Sequence, residues 1–192
     1  MKDYLNLVPP WAIEERGVLL QNRVFKVRAR HAQSPTYADK QGEFYYLDTG
    51  DWVNVIALTD DDKVVCIEQF RMGSAEVTLE IPGGMVDAGE DALQAGLREL
   101  REETGYAGQG AELIGVVRPN PAIQNNRCST LLVRSASRQH QTQLDGNEEI
   151  ALRLIPLSEI DELIRNGTIN HALVLDAFLH FKLRQDAQGS RA

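Results

Sequence analysis

Cysteine, histidine, basic residues and long apolar runs are all in short supply in this chain, and each shortage narrows what it can be. Its two cysteines, Cys66 and Cys128, stand too far apart to form a metal-binding pair, and both are expected to be reduced thiols in or near the core. The four histidines, His31, His140, His171 and His180, share no ligand spacing. No apolar run approaches the ~18 residues that a membrane span requires. Met1 to Pro10 has no basic stretch followed by an apolar one, so no secretory signal is expected and a cytoplasmic location is the expectation. Twenty Lys and Arg against 28 Asp and Glu leave a formal charge of −8, which argues against a nucleic-acid partner, because backbone binding needs clustered cations. An acidic chain that handles an anionic ligand needs local help from metal ions or a few arginines.

What is present fits one domain with a small appended subdomain, since 192 residues can bury a sizeable core. Gly17 to Ala32 reads as a strand, with Val18, Leu20, Val24, Phe25 and Val27 among interleaved polar residues. Glu43–Thr49, Trp52–Thr59 and Lys63–Gln69 read as three more, the last two separated by the turn Asp60-Asp61-Asp62. After Gly89 the period changes. Leu93, Leu97, Leu100 and Thr104 recur at helical spacing and predict one core-facing stripe, ended by Gly105. Ala111–Val117, Arg127–Val133 and Glu149–Ile155 read as strands. A helix from Ser158 to about Asn166 is expected, capped by Ser158 and Asp161, and a last one from about Asn170 to Arg184 before a frayed tail. Strands and helices mix without regular alternation, so the fold class is α+β, or a mixed-sheet sandwich.

The chemistry concentrates in Gly83-Gly84-Met-Val-Asp-Ala-Gly-Glu90 and in Arg98-Glu99-Leu100-Arg101-Glu102-Glu103-Thr104-Gly105-Tyr106. On a helix Glu99 and Glu103 are i,i+4 neighbours and Glu102 lies about 60° round from Glu99. Like charges at that spacing repel by a few tenths of a kcal/mol, which is easier to understand if a cation sits among them. Oxygen ligands at this density suit Mg²⁺, with Mn²⁺ able to replace it. Arg98 and Glu102 are also an i,i+4 pair, so Arg98 is expected to orient Glu102. Gly96 beside the acidic strip is expected to leave room for backbone or ligand. Ile81 to Gly84 is expected to be a tight loop whose glycines allow unusual φ and bring a carbonyl to the metal. The competing reading of Arg98–Glu103 alone is a solvated, salt-bridged helix face.

The full spacing runs from Gly84 over five residues to Glu90, and over seven more to Arg98-Glu99. An apolar residue and one other then precede Glu102-Glu103, and one residue separates these from Gly105. Such a match arises by chance on the order of once in a million chains of this length. It resembles the Nudix box of the Nudix hydrolase family, across residues 84–106, with Tyr106 where an aliphatic residue is usual. The resemblance implies a mixed β-sheet sandwiched between helices, with a small N-terminal antiparallel β subdomain (1–50) ahead of a hydrolase domain (51–192).

It also implies that Glu99, Glu103 and the carbonyl of Gly83 bind metal, that Glu102 binds or orients metal-linked water, and that Glu90 holds Arg98 or the loop. The strands from Glu43 to Arg71 look like those of ADP-ribose pyrophosphatases and related nucleotide-sugar hydrolases, which implies ADP-ribose as substrate and a homodimer built through the N-terminal subdomain. Pro121 falls close to where that subgroup places a proline. Glu148 aligns with a metal-side carboxylate, and Asp145, Glu148 or Glu102 could act as general base, because the position two before Glu148 is Gly146. Arg71, Arg118 and Arg127 are candidate phosphate or ribose contacts. Trp52, Phe70 and Tyr46 could stack on a base, though strand aromatics are more often core. GDP-mannose, another nucleotide sugar or a dinucleoside polyphosphate would suit the same box, and a non-catalytic nucleotide sensor is a further alternative.

Overall fold

The computed structural model describes residues 7–144, 146 and 148–189, so the expectations for Met1 to Asn6, for Asp145 and for 190–192 fall outside it. The chain divides into two compact units. One comprises 1–50 with 118–126, the other 51–117 with 127–192.

The first unit is an antiparallel meander of β1 (Ala12–Gln21), β2 (Phe25–Gln33) and β3 (Gln41–Thr49), in that order. The single strand expected over Gly17–Ala32 is therefore two. Asn22 turns the chain: its Oδ1 accepts from the backbone N–H groups of Val24 and Phe25, both at 2.8 Å. That side-chain turn competes with a continuous strand and wins. β1 bulges at Gly17, where φ is +117° and a side chain would be strained. Ile13, Val18, Leu19 and Leu20 along β1 are all exposed.

The second unit holds two sheets. β4 (Trp52–Ala57), β7 (Gly83–Met85), β8 (Tyr106–Val117) and β9 (Cys128–Arg138) form a mixed sheet in the order β7-β4-β9-β8, with β4 and β9 parallel. β5 (Lys63–Arg71), β6 (Glu76–Glu80) and β10 (Ile150–Pro156) form an antiparallel sheet in the order β10-β5-β6. The helices are α1 (Ala92–Thr104), α2 (Ile160–Arg165) and α3 (Ala172–Gly189). β4 is apolar at every core position because both of its faces are covered. Val53, Val55 and Ala57 pack with Ala95 and Leu100 of α1, while Ile56 packs with Val174, Ala177, Phe178 and Phe181 of α3. The result is a mixed sheet between helices, the α+β architecture expected from the sequence.

Four local expectations need correction. α3 continues past Arg184 into the stretch expected to fray. Ser158 lies in a 3₁₀ turn over Leu157–Glu159, and α2 has no side-chain cap, so the Ser-x-x-Asp box does not form. Ile81–Gly84 is not a loop throughout, since Gly83–Met85 pairs with Trp52–Asn54 as β7. The stripe on α1 is also displaced: Leu93 and Leu97 are exposed, and the buried positions are Ala95, Gly96, Leu100, Glu103 and Thr104. Gly96 sets this rotation. A Cβ there would lie 2.7 Å from Leu131 Cδ2 and 3.1 Å from Val53 Cγ2, so glycine lets α1 settle onto the sheet and makes room for core side chains.

Candidate active site

α1 is held at both ends by local chemistry. Asp91 accepts from the Gln94 N–H at 2.8 Å, and the Gln94 side chain accepts from the Asp91 N–H at 3.0 Å, a reciprocal cap. Gly105 closes the helix at φ +75°, its N–H donating to the Arg101 carbonyl at 2.8 Å. Between these caps the box residues occupy fixed places beside β7.

Arg98 organises them. Its Nε and Nη2 donate to the two oxygens of Glu90 at 3.1 and 3.0 Å, and Nη2 also reaches the Met85 carbonyl at 2.9 Å. Nη1 donates to Glu99 at 2.8 Å and to Glu102 at 3.2 Å. One guanidinium thus engages three carboxylates, and its Glu90 contact is bidentate. This pairing holds the Glu90 carboxyl below its ordinary range. Arg101 lies 3.5 Å from the other oxygen of Glu102.

Glu103 is the outlier. It is 4% exposed, on the face of α1 that packs inward, and its Oε2 accepts from the Gly83 N–H at 3.0 Å. Its carboxyl is pushed up to about 8, first by burial and then by the negative charges of Glu99 and Glu148, against the downward pull of the Gly83 N–H and Arg71. Glu99 is raised for the same first reason, burial, against the pull of Arg98. Glu148 is exposed, and its negative charge is felt at Glu99, Glu103 and Arg71.

The glycines of β7 have a different role from the expected one. Neither adopts a positive φ. They permit close approach instead: a Cβ on Gly83 would lie 2.3 Å from the Val53 carbonyl oxygen, and one on Gly84 would lie 2.3 Å from Glu99 Oε1. The cradle at Gly84 holds a carboxylate against the backbone. Gly84→Ala is therefore expected to displace Glu99 and reduce hydrolysis about 100-fold while Tm changes little. Steady-state rates and a thermal melt of the same preparation check this, and an unchanged rate would separate Glu99 placement from catalysis.

Among the described residues no three Asp, Glu, His or Cys side chains form a ready metal cage. The donor set nonetheless fits a divalent cation. Glu99 and Glu103 are both pushed toward the neutral form by burial, which an adjacent divalent cation would reverse.

The remaining predicted residues divide between the units. In the second, Arg71 donates through Nε and Nη2 to Glu80 at 2.8 and 2.7 Å, and Thr78 donates to Glu80 at 2.5 Å. These three line a cavity of about 740 Å³ that also touches Trp52, Gly84 and His171. Arg127 is exposed; its backbone N–H donates to Asp51 at 2.7 Å and its carbonyl accepts from the Trp52 N–H at 2.8 Å. Phe70 is exposed on β5. In the first unit, Arg118 and Pro121 share a separate cleft with Phe44, Tyr45 and Tyr46, where the Arg30 guanidinium lies 3.7 Å above the Tyr46 ring and Arg118 donates to the Asn125 carbonyl at 3.1 Å. Asp145 is outside the described residues. Sequence reasoning missed Glu80, whose signal was a carboxylate at a buried-type position just before Ile81-Pro82.

A carboxylate-bearing helix clamped by one arginine behind a glycine strand, on a sheet covered on both faces, defines a site of the diphosphate-hydrolase class. A model of the NUDIX domain matches residues 49–178, and the chain belongs to the Nudix hydrolase family. It is 26% identical over 140 residues to an ADP-ribose pyrophosphatase of Bacillus subtilis, covering 72% of this chain and 76% of that protein. It is 37% identical over 110 residues to an ADP-ribose pyrophosphatase of Saccharomyces cerevisiae, covering 54% of this chain and 48% of that one. Among solved structures, an ADP compounds hydrolase shares the fold with a TM-score of 0.83 at 18% identity, over 96% of this chain and 99% of that chain.

Proposed function

We propose that the chain hydrolyses the diphosphate bond of a nucleoside diphosphate joined to a small group, with ADP-ribose cleaved to AMP and ribose 5-phosphate. The observation that carries this is the Arg98 clamp, which gathers Glu90, Glu99 and Glu102 beside the buried Glu103. The similarity to two ADP-ribose pyrophosphatases supports the choice of nucleotide.

Glu99, Glu103, the Gly83 carbonyl and Glu148 would hold Mg²⁺. Once bound, the cation would neutralise charge on the diphosphate oxygens and lower the pKa of an attacking water. Arg98 and Glu90 keep the carboxylates in register. Glu102, whose two oxygens are engaged by Arg98 and Arg101, and Glu148 are the described candidates for general base. Arg71 presents its Nη1 edge for a phosphate, since Glu80 takes the other edge. Arg127 in the second unit, and Arg118 and Pro121 in the first, are further proposed substrate contacts.

We further propose a cytoplasmic homodimer formed through the 1–50 subdomain. The exposed apolar side chains of β1 support this reading, and no described helix is long and apolar enough to cross a membrane. Sedimentation at micromolar concentration should give twice the 21.4 kDa chain mass, and a species of 21.4 kDa would end the dimer proposal. A hydrolysis panel of ADP-ribose, GDP-mannose, a dinucleoside polyphosphate and an oxidised nucleoside triphosphate tests the substrate. ADP-ribose should have the highest kcat/KM. A higher value for another member would keep the site and discard the assigned nucleotide.

A further inference from the structure

Glu80 stands apart from the Arg98 clamp, yet it is as deeply buried as Glu103, at 3% against 4% exposed. Its partner Arg71 keeps 40% of its side chain exposed. The pair is lopsided: the anion is withdrawn from water while the cation retains an open face. An arginine in that position needs no buried partner to stay charged. Burying a carboxylate to meet it costs desolvation, and a buried ion pair is a poor source of stability.

The strand register shows that this partner is selected. In the β5–β6 ladder Arg71 lies opposite Glu76, and Glu80 lies opposite Ile67. These four side chains share one face of the strand pair. The ordinary cross-strand salt bridge would join Arg71 to Glu76, which is exposed. Arg71 instead runs back along the ladder, and its Nε and Nη2 donate to the two oxygens of Glu80 at 2.8 and 2.7 Å. The Thr78 hydroxyl donates to Glu80 Oε1 at 2.5 Å and fixes the carboxylate in turn. This bond takes the side-on edge of the guanidinium. The end-on edge, Nη1 with the second N–H of Nη2, is left as two parallel donors suited to another oxyanion. Arg71 and Glu103 also feel each other's charge.

We propose that Glu80, held by Thr78, is a positioning residue that sets the Arg71 guanidinium so that its end-on edge meets two oxygens of a substrate phosphate. The proposal rests on the diphosphate-hydrolase reading for Arg71 as a phosphate contact, and the sign of one effect separates it from plain electrostatics. By Coulomb attraction alone, removing a buried negative charge beside a cation should tighten anion binding. Removing a positioning residue should weaken it. Methylenediphosphonate, a diphosphate analogue that resists hydrolysis, is titrated calorimetrically with Mg²⁺ present into wild type, Glu80→Gln, Arg71→Ala and the double variant. Glu80→Gln should bind it about tenfold more weakly, the worth of one charge-assisted hydrogen bond. In the Arg71→Ala background the same substitution should cause no further loss, because Glu80 acts only through Arg71. Thr78→Val should weaken binding in the same direction by about twofold to threefold, and it guards against a Glu80 variant that folds poorly. In the hydrolysis assay Glu80→Gln should raise KM for ADP-ribose while kcat stays within about twofold, a split that a loss of folded protein does not give. Unchanged or tighter binding by Glu80→Gln, or an equal loss with and without Arg71, overturns the proposal, as does a wild type that fails to bind the probe. If the wild type binds it but cleaves no nucleotide sugar, the proposed function fails while the titration still decides the role of Glu80.

Discussion

Glu103→Gln is expected to abolish hydrolysis, by on the order of 10³-fold or more, and in the same protein to stabilise the metal-free form at alkaline pH. Both effects have one cause. The Glu103 carboxyl is buried against α1 and β7, and without a cation its ionisation is opposed until about pH 8, against an ordinary value of 4.5. A carboxyl whose pKa is raised by folding contributes full stability below 4.5 and loses it as pH rises through about 8. The displacement corresponds to a few kcal/mol, on the order of 1.4 kcal/mol per pH unit. Gln keeps the acceptor for the Gly83 N–H and cannot ionise, so it escapes the penalty. Thermal melts in chelator should therefore show the variant above wild type at pH above 8, with the gap closing toward pH 5. Added Mg²⁺ should raise the wild-type Tm at the higher pH and leave the variant unmoved. A variant less stable than wild type at both pH values would show that Glu103 is tied down by contacts other than those described.

Arg98→Lys is expected to behave in the opposite sense, losing activity and stability together. A lysine ammonium is a point charge and cannot reproduce the fork that joins Glu90, Glu99, Glu102 and the Met85 carbonyl. With the arginine side chain only 23% exposed, loss of its geometry should cost about 2–4 kcal/mol and reduce kcat/KM about 100-fold, since misplaced ligands are enough for that. Arg98→Ala should cost more, because three carboxylates then face one another uncompensated. The pH dependence separates this clamp from the Glu103 effect. Glu90 is held below its ordinary range by Arg98, so the clamp's stabilisation is present at neutral pH and lost as pH falls below 4.5. Wild type should thus gain an acid-side decline in Tm that Arg98→Ala lacks. Identical acid-side profiles would show that the Glu90–Arg98 bond does not contribute to folding.

Much of the fold was readable because its signals are local. β4 and β5 announce themselves as continuous apolar runs, Asp60 to Asp62 as a turn, and Gly105 as a helix stop. What was not readable depended on neighbours in space. The Leu93 and Leu97 spacing looked like a core stripe, yet Gly96 is the residue whose missing side chain decides which way α1 faces, and the collision with Leu131 that it avoids is invisible in one dimension. The same rotation puts Glu103, one of the clustered carboxylates expected to bind metal, on the buried face, 4% exposed. Gly83 and Gly84 suggested unusual φ, but their requirement is close approach to Val53 and Glu99. Asn22 splits the first strand through a side-chain turn that hydrophobic patterning does not see. The spacing from Gly84 to Gly105 could be counted along the chain. The pairing of Arg71 with Glu80 required β5 and β6 to be folded together.

The most direct test is ADP-ribose hydrolysis by one preparation with divalent cation removed and then restored, run beside Glu103→Gln and Glu99→Gln. Wild type should be inactive in chelator and recover with Mg²⁺, releasing AMP and ribose 5-phosphate in equal amounts, while both variants stay inactive at every Mg²⁺ concentration. Cleavage that continues in chelator, or that survives either substitution at near wild-type rate, would contradict a catalytic cation held by these carboxylates.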